Sequence, residues 1–425
     1  MRRLLAAGML AVACLAQGAE VADLPPQETV LEALRVHPQV QAALAGLRAA
    51  QAQRDGLLAG PHEFTLRAMA QSRKDRSIDQ RYREHEIGIE RSLRLPGKVA
   101  LDADLGTAGL EVARHALGEA LHAVSRELLA RWFAWQREAA AVTDWQAQVA
   151  IWRELETAVR KKVGAGETAR LEAMLIDAQL KQAEAQLAQA QARRERAARE
   201  WRQHFPGIGL PDAPRLAEPQ PIDASPDAIA RWRARILAEH HELAVARSEA
   251  RRSRLAAARA EAERRPDPTV GLTLGSERDG QERLLGVHLS IPLPGEARTA
   301  GARAASAEAD AAAARESLAL ARAEAEASQA VAAAADGFTQ WRRHAEVARQ
   351  MEENARLVEK AWRLGEGQYA ELQAARRQAI EARLAASLAL LEANEARYRL
   401  LLDAHELWDF ESIGSDADKR DLSQR

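Results

Sequence analysis

The chain has 425 residues, a formal net charge of −2 and 29% charged residues. Nothing in that balance suggests a nucleic-acid partner, for which a basic excess would be expected. The apolar fraction is 47% and rich in alanine, with aromatics at only 4%, the composition of long, closely packed helices.

Residues 1–19 read as a secretory signal. Arg2 and Arg3 make the basic start, and residues 4–15 form an apolar run too short to span a membrane. Small residues follow as a cleavage region, so the mature chain is expected to begin near Ala19 or Glu20. The single cysteine, Cys14, lies in the apolar run. It either leaves with the signal or serves as a lipid-attachment cysteine. Against the latter, Ala11 stands where lipoprotein signals usually carry leucine. The remaining sequence has no cysteine for disulfides, and no later apolar run long enough for a helical span.

A first repeat is expected over 20–206. It opens with a helix to about Leu58, whose Val30, Leu31, Leu34, Val40, Leu44 and Leu47 recur at three- and four-residue steps. His37-Pro38 bends or breaks it, and Gly60-Pro61 stops it. The period then changes from helical to two. Phe64, Leu66, Ala68 and Ala70 alternate with polar residues, which predicts a strand over 63–71. A polar loop over 71–82 leads to a second strand over 83–93, with Ile87, Ile89 and Leu93 on one side. Leu95-Pro96-Gly97 ends it. A proline-free helical pattern then runs from Lys98 to about Lys162, near 100 Å at about 1.5 Å per residue. Gly164-Ala165-Gly166 interrupts it over a turn at 163–168, and a helix returns to His204. Glycine disfavours a helix interior by about 1 kcal/mol and permits positive φ, so this marks a reversal.

A proline-rich linker over 207–226 precedes a second repeat over 227–408, in the same order. A helix over about 228–264 leads to strands over 269–276 and 283–293. Pro294-Gly295 matches Pro96-Gly97, and a second long helix follows to about Arg363. Gly365-Glu366-Gly367 forms a second turn over 364–369, before a last helix to about Leu407. The tail over 409–425 is polar and expected to be disordered. Two such units make one internal duplication.

Strands of nine to eleven residues with one apolar face suit a bilayer crossed at a tilt. Four strands cannot close alone, so several copies must share one barrel. The competing reading is a pair of soluble hairpins capping a coiled coil, favoured by the absence of Trp and Tyr girdles.

The signal, the duplicated helix–strand–strand–long helix–turn–helix layout, the Leu-Pro-Gly elements and the Gly-X-Gly turns together resemble the outer-membrane efflux (TolC-like) family. Leu95-Pro96-Gly97-Lys98 and Leu293-Pro294-Gly295 resemble its heavy-metal (cobalt–zinc–cadmium) branch. The resemblance implies a homotrimer, mainly α, with duplicated long helices forming an α-barrel and four strands per subunit in a shared twelve-stranded β-barrel. It implies an outer membrane of a Gram-negative bacterium and a large periplasmic portion. It also implies a periplasmic adaptor and an inner-membrane proton-driven pump, and neither a catalytic site nor a cofactor. In the family the helical turns meet the adaptor, and acidic residues near them constrict the tunnel. The matching residues here are Gly164, Gly166, Glu167 and Glu172, with Gly365, Glu366, Gly367 and Glu371 in the second half. Glu371 is expected to line the constriction. Gln373 departs from the family's acidic pattern, which leaves the second acidic ring open.

Two other functions compete. One is a soluble periplasmic adaptor or scaffold built on a helical hairpin. The other is a metallohydrolase or metal chaperone using His240 and His241, although helix neighbours point about 100° apart.

Overall fold

The computed structural model describes residues 23–410 and residue 413. The expected signal, Cys14 and most of the expected tail lie outside the described residues. The described chain is mainly helical, with one antiparallel sheet.

The first half comprises α1 (Gln27–Val36), α2 (Pro38–Ala59), β1 (Thr65–Asp75), β2 (Gln80–Ser92), α3 (Pro96–Gly164) and α4 (Arg170–His204). The second comprises α5 (Pro226–Ala238), α6 (His241–Ala262), β3 (Thr269–Glu277), β4 (Glu282–Ser290), α7 (Glu296–Leu364) and α8 (Tyr369–Asp403). Both long helices have 69 residues, roughly 100 Å at 1.5 Å per residue. The shorter α2 and α4 pack along α3, and α6 and α8 along α7. Within its own half each long helix thus carries two shorter ones, and α3 also packs against α6 and α8 of the second half.

The four strands form a single sheet in the order β1-β2-β3-β4. The β2–β3 pairing joins the two halves. Register brings Leu66, Ile89, Leu272 and Val287 into one row, and Ala68, Ile87, Leu274 and Leu285 into the next. This face is bare, with Leu66 72% and Val287 76% exposed. Covering each large side chain is worth about 1.5–3 kcal/mol, so a continuous apolar face calls for a non-aqueous cover. The opposite face is polar and small. It carries Gly88, Gly271, Gly275 and Gly286 beside Arg67, Glu90 and His288. A Cβ on Gly271 would meet the His288 ring at 2.1 Å and Glu90 Cβ at 2.9 Å. The glycines therefore leave room on this face for the His288 ring and for Thr273. Within this protomer, β1 and β4 each leave one edge unpaired.

Several expected boundaries change. The strand expected over 63–71 runs to Asp75, and the one over 83–93 begins at Gln80. Charged residues excluded from the pattern continue the ladder because they pair across it: Arg73 lies 2.8 Å from Glu84, which also accepts from Gln71. The strand over 283–293 stops at Ser290, just before Pro292, which has no N–H for a ladder. The helix over 228–264 is two helices, broken at Glu239 and His240. His240 Nδ1 accepts from the Leu243 N–H and caps α6, as His37 Nδ1 accepts from the Gln39 N–H and caps α2. Without a proline, the second break carried no helix-breaking signal.

The linker is irregular but packed. Phe205 and Ile208 are buried, and Ile208 O accepts from the Trp201 indole at 2.8 Å. The tail expected from 409 also contributes to the core through Phe410 and Ile413. Trp408 lies beyond α8 and is buried there.

Replacing Gly271 with leucine should cost about 1–3 kcal/mol through overpacking and lower the thermal midpoint in detergent. Gly275→Ala, whose nearest new contact is 3.5 Å, should leave the midpoint within a degree or two. Equal midpoints for the two variants would contradict the close packing of His288 and Glu90 against Gly271.

Candidate functional sites at the two ends of the helices

At the sheet end, the strands hand over to the long helices. Pro96 is the first residue of α3, with Leu95 at its cap. In the second half the cap is Gly295 itself, and α7 starts at Glu296. The two Pro-Gly elements match in sequence but enter their helices differently. A Cβ at Gly97 or Gly295 would meet nothing within 4 Å, so neither glycine is required by packing within this protomer.

The first junction is held by buried charge. Lys98 is 2% exposed, with Nζ 2.9 Å from Asp267 Oδ1 and 3.1 Å from Glu263 Oε2. Asp267 also engages His62 Nε2 at 2.9 Å and accepts from the Leu95 N–H. Burial opposes ionisation of Asp267, yet His62, Lys98 and the Leu95 amide hold its carboxyl below the ordinary range. Beside it, Asp102 takes Arg94 on one oxygen and Arg259 on the other. Arg94 also donates to Leu57 O and Leu58 O, closing the end of α2. Lys98, Arg94 and Asp102 belong to the first half, whereas Arg259, Glu263 and Asp267 belong to the second. The second junction joins the collar only through Arg298 of α7, which donates to Glu263 O at 2.9 Å and to its Oε1 at 2.7 Å, and Leu293 there is 90% exposed.

At the far end the turns are shorter than the glycine pairs imply. Gly166 takes φ +79° and Gly365 φ +82°. In the first turn Glu167 N donates to Lys162 O, and in the second Glu366 N donates to Ala361 O. These 6→1 bonds close a helix end on a left-handed glycine. Gly164 remains helical. Gly367 instead lets the chain pass close to Trp362, whose N lies 3.1 Å from a built Cβ. Two glycines per turn are thus not both needed for the reversal. One interval of 199 positions relates Gly166 to Gly365, Glu167 to Glu366 and Glu172 to Glu371. Matching Gly164 to Gly365 is out of step by two.

Glu172 and Glu371 are both third in their helices. Glu371 forms a capping box: its carboxylate accepts from the Gln368 N–H at 3.3 Å. Glu167, Glu366 and Glu371 are exposed, and Glu172 is half-buried. Beneath them Trp152, Trp362, Tyr369 and Leu372 form a common core between the two hairpins. Burial first, and then Glu172, raise the Tyr369 phenol. Lys162 sits 4.9 Å from the Trp362 ring centroid and donates to Trp362 O at 3.0 Å. Further up, buried Asp144 of α3 accepts from Arg383 and Ser387 of α8. Leu171 and Met174 stand exposed on α4.

The histidines named from sequence do not form a metal centre. Among the described residues, no group of three or more His, Cys, Asp or Glu is disposed to hold a metal ion. His241 seats against Gly118, where a Cβ would lie 2.7 Å from its ring. It groups with His122 and His405, at centroid separations of 4.8–5.7 Å. Burial, reinforced by Arg126, pushes His122 down to about 2, and burial with His405 pushes His241 to about 4. Sequence spacing could not reveal this group, because its members come from α3, α6 and the turn after α8. Among the described residues no helix is long and apolar enough to cross a membrane.

No protein-family model matches the sequence, and no curated protein matches it. Solved structures do match the fold. A membrane protein from Pseudomonas aeruginosa aligns with TM-score 0.76 at 16% identity, over 96% of this chain and 98% of its own. The Campylobacter jejuni CmeC outer-membrane channel aligns with TM-score 0.73 at 14% identity, over 94% and 90%. The outer-membrane protein VceC of Vibrio cholerae aligns with TM-score 0.73 at 17% identity, over 89% and 95%. The chain therefore has the fold of outer-membrane channel proteins.

Two outcomes are expected. Lys98→Met leaves Asp267 buried beside fewer cations and should destabilise the chain by about 3–5 kcal/mol, read as a lowered denaturation midpoint. The histidine group gives a pH dependence of definite sign. The folded pKa of His122 lies below the ordinary 6.5, so the unfolded chain takes the proton first. The stabilisation is therefore complete above about pH 6.5 and falls as pH drops toward about 2, by up to about 1.4 kcal/mol per unit. Melting curves of His122→Leu should lose that part of the slope. An unchanged slope would contradict the assignment.

Proposed function

We propose that this chain is the outer-membrane channel of a tripartite efflux system. The observation that carries the reading is the sheet: four strands, one bare apolar face, two unpaired edges, at one end of 100 Å-class helices. A lipid-facing sheet must leave no unpaired backbone edge, so β4 of one copy pairs with β1 of the next. Three copies give a twelve-stranded barrel continued by an α-helical tunnel. The soluble adaptor alternative gives the apolar face no cover.

In this reading the duct is passive and carries no catalytic site. An inner-membrane proton-driven pump supplies the energy, and a periplasmic adaptor docks at the far turns, where Leu171 and Met174 stand exposed on α4. Glu371 lines the closing constriction, alternating with Glu172 at the equivalent position of the first half. Glu172 and Glu371 at the tip and the inward Glu84, Glu86 and Glu90 are the groups proposed to favour cations. Divalent metal cations are the cargo we propose.

The test combines fractionation with conductance. The chain should partition with the outer membrane, extract as a trimer and form channels in planar bilayers. Glu371→Gln should reduce block by divalent cations, and deletion of the gene should sensitise cells to cobalt, zinc or cadmium. A monomer released without detergent would end the channel reading. Unchanged block in the variant would remove Glu371 from the gate.

A further inference from the structure

We propose that the outward face of the sheet carries a cationic belt that binds the phosphorylated headgroups of outer-leaflet lipids. This rests on reading the sheet as a barrel wall. Alternation sorts the side chains of the four strands cleanly. Beyond the apolar row of Ala68, Ile87, Leu274 and Leu285, the same face presents Arg283, then Arg83, then Lys74 with Arg81. All four cations are exposed. They lie toward the turns, at the end remote from the helices, which is the external side of the proposed channel.

The neighbouring carboxylates are already engaged. Asp79 lies 2.6 Å from Lys74 Nζ, Glu282 lies 3.1 Å from Arg278, and Asp75 accepts from Ser77. Asp279 accepts from the backbone N–H of Arg83 rather than from its guanidinium. Among the described residues, Arg81, Arg83 and Arg283 have no carboxylate partner. The strand carboxylates Glu84, Glu86 and Glu90 project to the opposite face, where Glu84 pairs with Arg73 and Glu90 with Arg67 and His288. The outward face thus gathers cations without strand carboxylates, whereas the opposite face pairs its carboxylates with Arg67, Arg73 and His288.

The partner must satisfy both parts of this face. An apolar band touched by unpaired arginines fits a molecule with acyl chains and an anionic head. Guanidinium presents a planar fork that matches phosphate bidentately. Long basic side chains can also lie along apolar surface while their heads reach the headgroup layer. A soluble acidic protein would meet the arginines but leave the apolar rows uncovered.

The probe is lipid A in its bisphosphorylated and dephosphorylated forms, added to the detergent-solubilised full-length assembly and counted by native mass spectrometry. The wild-type chain should retain the bisphosphorylated form at least about tenfold better than the dephosphorylated form. The variant K74Q/R81Q/R83Q/R283Q should lose that preference while still forming channels. Equal binding of the two lipids by wild type would overturn the proposal, as would an unchanged preference in the variant. Competition by inorganic phosphate at matched concentration would also overturn it, by showing a simple anion site. If the variant does not assemble, the wild-type comparison alone decides. A wild-type chain absent from the outer membrane would overturn the channel reading along with this one. A membrane-inserted chain without phosphate preference would overturn this one alone.

Discussion

The arrangement depends on a buried ion pair between the halves of the duplication. Lys98, at the start of α3, reaches Asp267, at the start of β3. Burying a charge without a partner costs several kcal/mol, so each group fixes the position of the other. Asp267 also receives His62 and the Leu95 amide, so the ends of both first-half strands converge on one carboxylate. This sets where the strands of the first half stop and where its long helix begins. It also fixes β2 against β3, since Leu93 N donates to Pro268 O beside it. The sheet continues from one half into the other because this junction leaves little freedom in register.

The same junction creates an asymmetry that runs the length of the molecule. Both Pro-Gly elements are exposed, but the first is flanked by Arg94 and buried Lys98 of the collar, whereas the second is flanked by exposed Leu293. At the far end each turn uses one left-handed glycine and places an acid third in the following helix. The surroundings differ: Glu371 caps its own helix through Gln368, while Glu172 faces Tyr369 across the hairpin interface. Lys162 and Trp362 bridge the hairpins there, and Asp144 with Arg383 bridges them again further up. A tip that moves must do so against these links, which lie along helix faces rather than in the turns.

Much of this layout was legible in the sequence, because long helices and half-buried strands have different periods. The switch from Val40, Leu44 and Leu47 to Leu66, Ala68 and Ala70 marks the sheet without further information. Other features were hidden for identifiable reasons. The break at His240 contains no proline, and only the cap made by its imidazole reveals it. The extension of β1 to Asp75 depends on cross-strand charge pairs that a hydrophobic pattern treats as loop. The glycine turns looked equivalent through Gly164 and Gly365, yet backbone geometry aligns Gly166 with Gly365. The His122, His241 and His405 group joins three distant segments, which no local spacing encodes.

The unpaired edges and the asymmetric junctions point to one mode of assembly. A two-fold contact would place β1 against β1 or β4 against β4, and would leave the opposite edges open. A heterologous contact pairs β4 of one copy with β1 of the next and consumes every edge once the ring closes. It also brings the exposed second junction of one protomer toward the start of the first half in its neighbour. Within one protomer, the equivalent neighbour of the first junction is the second half, which supplies Asp267. Repetition of the collar around a ring would therefore alternate contacts within a chain with contacts between chains. The between-chain kind lacks the Lys98 and Asp267 pair, because Glu296 stands where Lys98 does and Pro292 where Arg94 does. In the proposed ring, a protomer would hold its own sheet through buried charge, while its neighbours would join it through backbone pairing and apolar contact. In the proposed channel, such contacts would leave no buried charge stranded in the separate protomer.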